Sequence, residues 1–435
     1  MRAKLIKKNH YLRPHFNILP MHKVDLTHCP IFLTDSRLHE FIRLHANDDS
    51  TSLLLSAKYQ KEALKYGFPL DFAVLQIELR RKGRHKLPGF INSPFSLFPS
   101  AVAYEQASNE YIARFHASLL YPADSKVLDM TAGLGIDAMA FADAKRMVSA
   151  CELDKTKAEL LYYNASVLKP GFISVYNDDS LSMLTESTTQ YDVIFVDPAR
   201  RDNNNNRKFA FQDCQPNIVQ NLNTILSRTK RLLVKASPML DITAVTNQLP
   251  FVSHIYVVCF KGECKEILIE IFPEACSDPI VSAVDLNETG IISEFSVSKS
   301  SKDSVLLYSS TDPDEGMYIY EPNAAIMKIG CWKELEQKYL PLRKIAPNTH
   351  LFCSSEYIVG FPGRCSRIKK KFTKQERRIL ADTPLNIVTR NYPVNAEKLK
   401  SQLRLKSGGK DFLYAFRSLS SPNGCIFLCE QIDTI

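Results

Sequence analysis

The chain has no apolar run near the ~18 residues that a membrane-spanning helix needs, although 45% of its 435 residues are hydrophobic. The segment Met1–Met21 is basic but lacks the 7–15-residue apolar stretch of a secretory signal, and Met21 is an alternative start of translation. Cysteine occurs eleven times, scattered singly, with no CxxC pair and no Cys/His spacing suited to zinc. This excludes a disulfide scaffold and a structural metal, and points to a reducing cytoplasm. Cys151, Cys214 and Cys259 sit in apolar contexts where a free thiol packs as a small hydrophobe. No internal repeat appears. The only biased run, Asn203–Asn206, is too short to count as low complexity.

What is present implies several domains, because ~100–200 residues suffice for one. We divide the chain into an N-terminal helical module and linker (1–100), a central α/β domain (101–273), a small segment (274–345) and a C-terminal α+β domain (346–435). Residues 34–80 carry apolar positions at helical spacing behind the N-cap candidates Thr34-Asp35-Ser36, and Lys86–Ser100 reads as a proline-containing linker or ordered loop. One helix is expected over 101–121. From Lys126 short apolar strands alternate with helices, which implies a parallel sheet covered on both faces. The runs Ile255–Phe260 and Glu266–Phe272 flank Lys261-Gly262-Glu263, a hairpin that ends this sheet. Beyond Pro273, strand-like runs fall at Ile291–Ser298, Ser304–Ser309, Met317–Tyr320, His350–Cys353 and Ile358–Gly360. Helices are expected at Ile326–Tyr339, Lys374–Ala381 and Ala396–Leu403.

The net charge is only +8, but it is unevenly spread. Residues 364–410 hold fourteen lysines and arginines against three acids, and Arg80–Lys86 forms a second basic cluster. Two basic patches flanking the central α/β domain suit a polyanionic partner. Candidate contacts are Arg364, Arg367, Lys369, Lys370, Lys371, Arg390, Lys406 and Lys410.

Four signals follow one another in the central domain. The strand ending at Asp129 runs through Met130-Thr131-Ala132-Gly133-Leu134-Gly135, where two glycines let the backbone approach a ligand. Glu152 ends the next strand, where a carboxylate can accept both ribose hydroxyls of an adenosine ligand. Asn177-Asp178-Asp179-Ser180 follows the third strand. Asp179 is the best placed of its acids to bond an adenine amino group, and it can also cap the next helix. Asp197-Pro198-Ala199-Arg200 follows the fourth strand, at the edge where open α/β sheets bind ligands. The third glycine of a GxGxxG phosphate clamp is absent, which argues for a ligand without pyrophosphate.

These residues resemble class I S-adenosylmethionine-dependent methyltransferases over roughly residues 104–272. The resemblance implies a Rossmann-like seven-stranded sheet. It also implies an S-adenosyl-L-methionine site at Asp129, Thr131, Gly133, Gly135, Glu152 and Asp179. Enzymes of this class that methylate base amines often carry Asp/Asn-Pro-Pro-aromatic where this chain has Asp197-Pro198-Ala199-Arg200. Asp197 and the Pro198 carbonyl are expected to hold the amine, and Arg200 to stack on a base or hold a phosphate. A carbon target would need a nucleophilic cysteine, for which Cys214 is the nearby candidate.

The whole chain is similar to a bacterial family in which such a domain is followed by a small ferredoxin-like segment and a THUMP-like domain. The residues carrying this are Val196–Asp202, Tyr320–Lys328, Thr389-Arg390-Asn391-Tyr392-Pro393 and Lys406–Lys410. It implies an RNA partner (tRNA or rRNA); no membrane and no metal partner are expected from the apolar runs and the Cys/His spacing, and the oligomeric state is left open. Two other readings stand beside it: a non-catalytic RNA-binding protein with a retained cofactor fold, and a methyltransferase for protein or a small molecule.

Overall fold

The computed structural model describes residues 23–25, 27, 29–122, 125–200, 211, 214–274, 278–298 and 306–432, with Arg200 described by its main chain only. The Met1–Met21 arm and the motif residues Arg201 and Asp202 lie outside them, as does the start of the run Ser304–Ser309. The chain divides into two compact units. The described residues up to 200, with 211 and 214–233, form the first, and those from 234 onward form the second.

The first unit opens with the expected helices. Asp35 caps Ser36–Leu44 by accepting the Arg37 N–H, Asp49 caps Ser50–Leu55, and Gly67 (φ +74°) stops Ala57–Tyr66. Leu38, Phe41, Leu53 and Ile77 are buried against one another, and Leu160 and Tyr163 of the later helix Lys155–Leu168 complete the same cluster. Each such side chain contributes roughly 1.5–3 kcal/mol on burial. The N-terminal module is therefore built onto the α/β domain. The linker is ordered in the same way. Asn164, fully buried, accepts the Leu97 N–H at 2.9 Å and donates to the Leu97 carbonyl at 2.8 Å, and Gln76 pairs likewise with Phe98. Residues 101–121 form two helices rather than one, Ala101–Gln106 and Glu110–Ser118, because Asn109 turns its side chain back to cap the second.

Of the five cationic side chains in the 80–86 cluster, Lys82 and Arg84 are exposed and the other three are bonded to main-chain carbonyls. Arg80 donates to the carbonyls of Ile91, Ser93 and Ser96, Arg81 to those of His45, Ala46 and Asp48, and Lys86 to those of Tyr104 and Glu105. Those three charges satisfy carbonyls left over at helix ends and in loops.

The α/β part of this unit contains β1 (Lys126–Asp129), β2 (Met147–Cys151), β3 (Ile173–Tyr176) and β4 (Val193–Val196). β1 pairs in parallel with β2 and β4, and β2 with β3. β5 (Leu232–Ala236) follows β4, giving the order β3-β2-β1-β4-β5. β4 is buried at every position, as a strand covered on both faces must be.

β5 continues into the second unit, where the order is β5-β7-β6-β8-β9. Here β6 is Val252–Phe260, β7 Glu263–Ile271, β8 Ile280–Asn287 and β9 Gly290–Ser298. β6 and β7 are the expected antiparallel hairpin. The succession β3-β2-β1-β4-β5-β7-β6 is the class I methyltransferase sheet. It is extended to nine strands because β8 adds in parallel to β6 and β9 folds back on β8.

A second sheet contains β10 (Tyr318–Pro322), β11 (Arg343–Ala346), β12 (Thr349–Ser354), β13 (Gly363–Lys371), β14 (Asn386–Arg390), β15 (Asp411–Phe416) and β16 (Cys425–Ile432), in the order β11-β12-β10-β13-β16-β15-β14. The helix expected over 326–339 is two, Ala324–Ile329 and Trp332–Lys338, because Gly330 (φ +71°) ends the first. Ile358–Gly360 is a loop, fastened where the buried Tyr320 hydroxyl accepts the Ile358 N–H and donates to the Glu356 carbonyl. Lys374–Ala381 shortens to a 3-10 turn at Glu376–Leu380.

Candidate active site at the strand ends

Asp129, Glu152 and Asp197 stand at or just beyond the carboxyl ends of the adjacent parallel strands β1, β2 and β4. Main-chain bonds hold these ends together. The Ala132 N–H donates to the Cys151 carbonyl, Met130 N–H to Phe195 and Glu152 N–H to Tyr176. The turn between β1 and the helix Ile136–Asp143 needs left-handed backbone at Gly133 (φ +54°) and Gly135 (φ +85°).

Side chains complete the closure. The Glu152 carboxylate spans the gap, accepting the Gly133 N–H at Oε2 (2.9 Å) and the Asp154 N–H at Oε1 (2.9 Å). Asn177 donates to the Glu152 and Leu153 carbonyls, both at 3.0 Å, which fixes the loop after β2. The Thr131 hydroxyl oxygen accepts the Asp197 N–H at 2.7 Å. Asp129 accepts the Thr131 N–H at 3.1 Å. Asp197 is half-buried and Pro198 buried. Asp179 is exposed and caps the helix Ser180–Glu186, while the Asp178 carboxylate beside it accepts the Asp179 N–H. Ala199 and Arg200 form a two-residue antiparallel pair with Gln215 and Cys214, so the main chain of the buried Cys214 lies opposite that of Arg200.

The site is electronegative. Burial pushes the Asp129 carboxyl well above the usual carboxylate range, and the charges of Asp137, Asp197 and Glu152 push it further, against the Thr131 N–H. Asp137 is the member that the sequence reading missed. It lies two residues past Gly135, buried, with the Ser108 hydroxyl donating to Oδ2 and His116 Nδ1 2.8 Å from Oδ1. An acid so close behind a glycine turn was the available signal, but its partners come from 21 and 29 residues away.

The eight candidate basic contacts lie in the second unit. Arg364 and Arg390 both pair with the buried Glu321. Lys369 pairs with Asp411 and Glu430, Lys370 with Glu376, Lys371 with Asp312 and Lys406 with Asp382. Arg367 and Lys410 are exposed and have no carboxylate partner among the described residues. Asp312, Glu321, Asp411 and Glu430 all lie outside the 364–410 stretch, so the fold supplies acids that a local count of charge cannot see.

Comparison with known proteins agrees with this architecture. Residues 318–362 match a family described as a ferredoxin-like domain, and residues 363–431 one described as THUMP domain-like. No curated protein matches the chain. A solved structure described as a "putative methyltransferase from Porphyromonas gingivalis W83" is 25% identical with a TM-score of 0.79, covering 91% of this chain and 98% of its own. The likeness extends over nearly the whole of both chains. A modification subunit of a "putative type I restriction enzyme" from Vibrio vulnificus YJ016 aligns at 12% identity, 46% and 56% coverage and a TM-score of 0.32. A SAM-dependent methyltransferase from Agrobacterium tumefaciens aligns at 13%, 39% and 64%, with a TM-score of 0.29.

Proposed function

We propose that the chain is an S-adenosylmethionine-dependent methyltransferase acting on a base of structured RNA, tRNA or rRNA. The observation that carries this reading is the Glu152 carboxylate, tied to the Gly133 and Asp154 N–H groups across two strand ends. Each oxygen has one lone pair committed and another directed elsewhere, as capture of two vicinal ribose hydroxyls requires.

The residues fit the cofactor. The charges of Asp137, Asp197 and Glu152 all bear on Asp129, and a ligand bearing a sulfonium and an ammonium would relieve that repulsion. Asp129, Thr131, Gly133, Gly135, Glu152 and Asp179 would hold it, with Gly133 open enough that a Cβ would meet nothing closer than 4.0 Å. The cofactor supplies an electrophilic methyl group. The chain's own task is then to orient a nucleophile and accept its proton. Asp197 serves both ends, because its main chain is fixed by Thr131 and its carboxylate can accept from an amine. The Pro198 carbonyl offers a second acceptor, and Arg200 a planar cation for a base or phosphate.

An RNA substrate is supported by the THUMP domain-like match and by the exposed Arg367 and Lys410. The test compares digested RNA nucleosides from a strain lacking the gene with those after return of the wild type or Asp197→Ala. One methylated nucleoside should vanish, return with the wild type and stay absent with the variant. An unchanged nucleoside profile removes RNA as the substrate, and rescue by both removes Asp197 from catalysis.

A further inference from the structure

The hairpin of β6 and β7 carries two cysteines in a relationship that the cofactor site does not use. Lys261 (φ +52°) and Gly262 (φ +78°) are both left-handed, which makes the connection the tight two-residue kind whose twist matches the strands. Phe260 and Glu263 close it, and the next pair outward is Cys259 opposite Cys264. The pair closing such a turn is hydrogen-bonded. The one after it is therefore the non-hydrogen-bonded kind, with Cα atoms ~4.5 Å apart and side chains on one face. A disulfide accepts Cα separations of ~4.4–6.8 Å. The register irregularity in this hairpin falls on the far side of the pair, between Val258 and Cys259, where Lys265 is the extra residue, so it does not slide the two thiols apart.

The two thiols are unequal. Cys259 is fully buried, whereas Cys264 is half-buried. As a thiol, Cys264 donates weakly to the Ala324 carbonyl at 3.4 Å. As a thiolate it is favoured first by a hydrogen bond from Cys259 and then by the Lys328 charge, which outweigh burial and bring it below the ordinary thiol value. Cys259 is pushed up by the same hydrogen bond and by burial. Burial takes other thiols the opposite way from Cys264: Cys29 rises to about 11, and Cys151, Cys331 and Cys425 to about 12. A half-buried thiol held below the ordinary thiol value and faced across the strands by a second thiol is the arrangement of an attacking and a resolving cysteine.

We propose that Cys259 and Cys264 are a reversible redox pair, closed to a cross-strand disulfide by a peroxide. The Cys264 thiolate attacks one peroxide oxygen; the S–O bond forms, the O–O bond breaks, and hydroxide leaves and takes a proton to become water. Cys259 then attacks the Cys264 sulfur; the S–S bond forms, the S–O bond breaks, and the departing hydroxide takes the Cys259 proton as a second water. Two thiols are oxidised by two electrons and one peroxide is reduced. Closure removes the S–H donor from the Ala324 carbonyl, so the change is felt at the first residue of the helix Ala324–Ile329.

The test uses the reduced full-length protein, a few equivalents of hydrogen peroxide, N-ethylmaleimide and non-reducing peptide mapping. Cys259 and Cys264 should both escape alkylation in a peptide two hydrogens lighter, restored by dithiothreitol. The change should run at least ~10-fold faster than loss of the Cys29 or Cys425 thiols. In Cys264→Ser, Cys259 should stay alkylatable; in Cys259→Ser, Cys264 should stop at a sulfenic acid that dimedone traps. The wild-type map suffices if either variant misfolds. The proposal is overturned if both thiols remain alkylatable while Cys29 or Cys425 oxidises, or if Cys264 proceeds to sulfinic acid without the cross-link.

Discussion

The hydroxyl oxygen of Thr131 lies 2.7 Å from the main-chain nitrogen of Asp197 and accepts its N–H. This one bond links the glycine turn after β1 to the Asp-Pro turn after β4, the two segments assigned to the cofactor and to the methyl acceptor. On the proposed function, the distance between cofactor and substrate would be set by main chain that a side chain holds in place. Such pre-organisation matters because displacement of a reacting group by ~1 Å can cost ~100-fold in rate.

The two glycines of the turn should separate stability from binding. Gly135→Ala places a Cβ 2.2 Å from Leu161 Cδ1 at φ +85°, and should destabilise the fold by about 1–3 kcal/mol. Gly133→Ala meets nothing closer than the Thr131 carbonyl at 4.0 Å at φ +54°. It should cost only about 1 kcal/mol, yet weaken S-adenosylmethionine binding at least ~10-fold by filling the cradle. Thermal melts beside calorimetry read both, and equal melting of the two variants would contradict the assignment.

Asp129→Asn should make the protein more stable at neutral pH while weakening cofactor binding. The folded-state pKa of Asp129 is raised above its unfolded value, by burial first and by Asp137 second. Above the unfolded value the folded state therefore binds more protons than the unfolded chain, and ionisation costs stability as pH rises. Asparagine removes that cost. The melting midpoint should rise by a few degrees at pH 7.5, and the gain should shrink towards pH 4 as the wild-type carboxyl protonates. A variant that melts below the wild type at pH 7.5 would show that the acid cluster is not strained by repulsion.

Sequence pattern made the site legible where chemistry and chain order coincide. Asp129 ends a strand of the alternation, and Gly133, Gly135, Glu152, Asp179 and Asp197 each come after one, so the topology alone gathers them at one edge. What was illegible depends on tertiary partners. Asp137 gains its meaning from His116 and Ser108 on an earlier segment. Arg80 and Arg81 look like a patch until the carbonyls they satisfy are seen. β8 extends the sheet because β6 offers a free edge, which no local periodicity encodes. The helix expected across Gly330 fails for a local reason that was visible, since glycine readily takes the left-handed C-cap.

The most direct measurement is calorimetric titration of the purified protein with S-adenosylmethionine beside Glu152→Gln. Glutamine keeps a side-chain oxygen for one of the two N–H groups that Glu152 now accepts, so the turn should survive while the second acceptor and the charge are lost. The account predicts micromolar binding by the wild type and a loss of at least ~10-fold in the variant, matching one or two charge-assisted hydrogen bonds. Equal binding by both proteins, or none by the wild type even with bulk tRNA present, would contradict it.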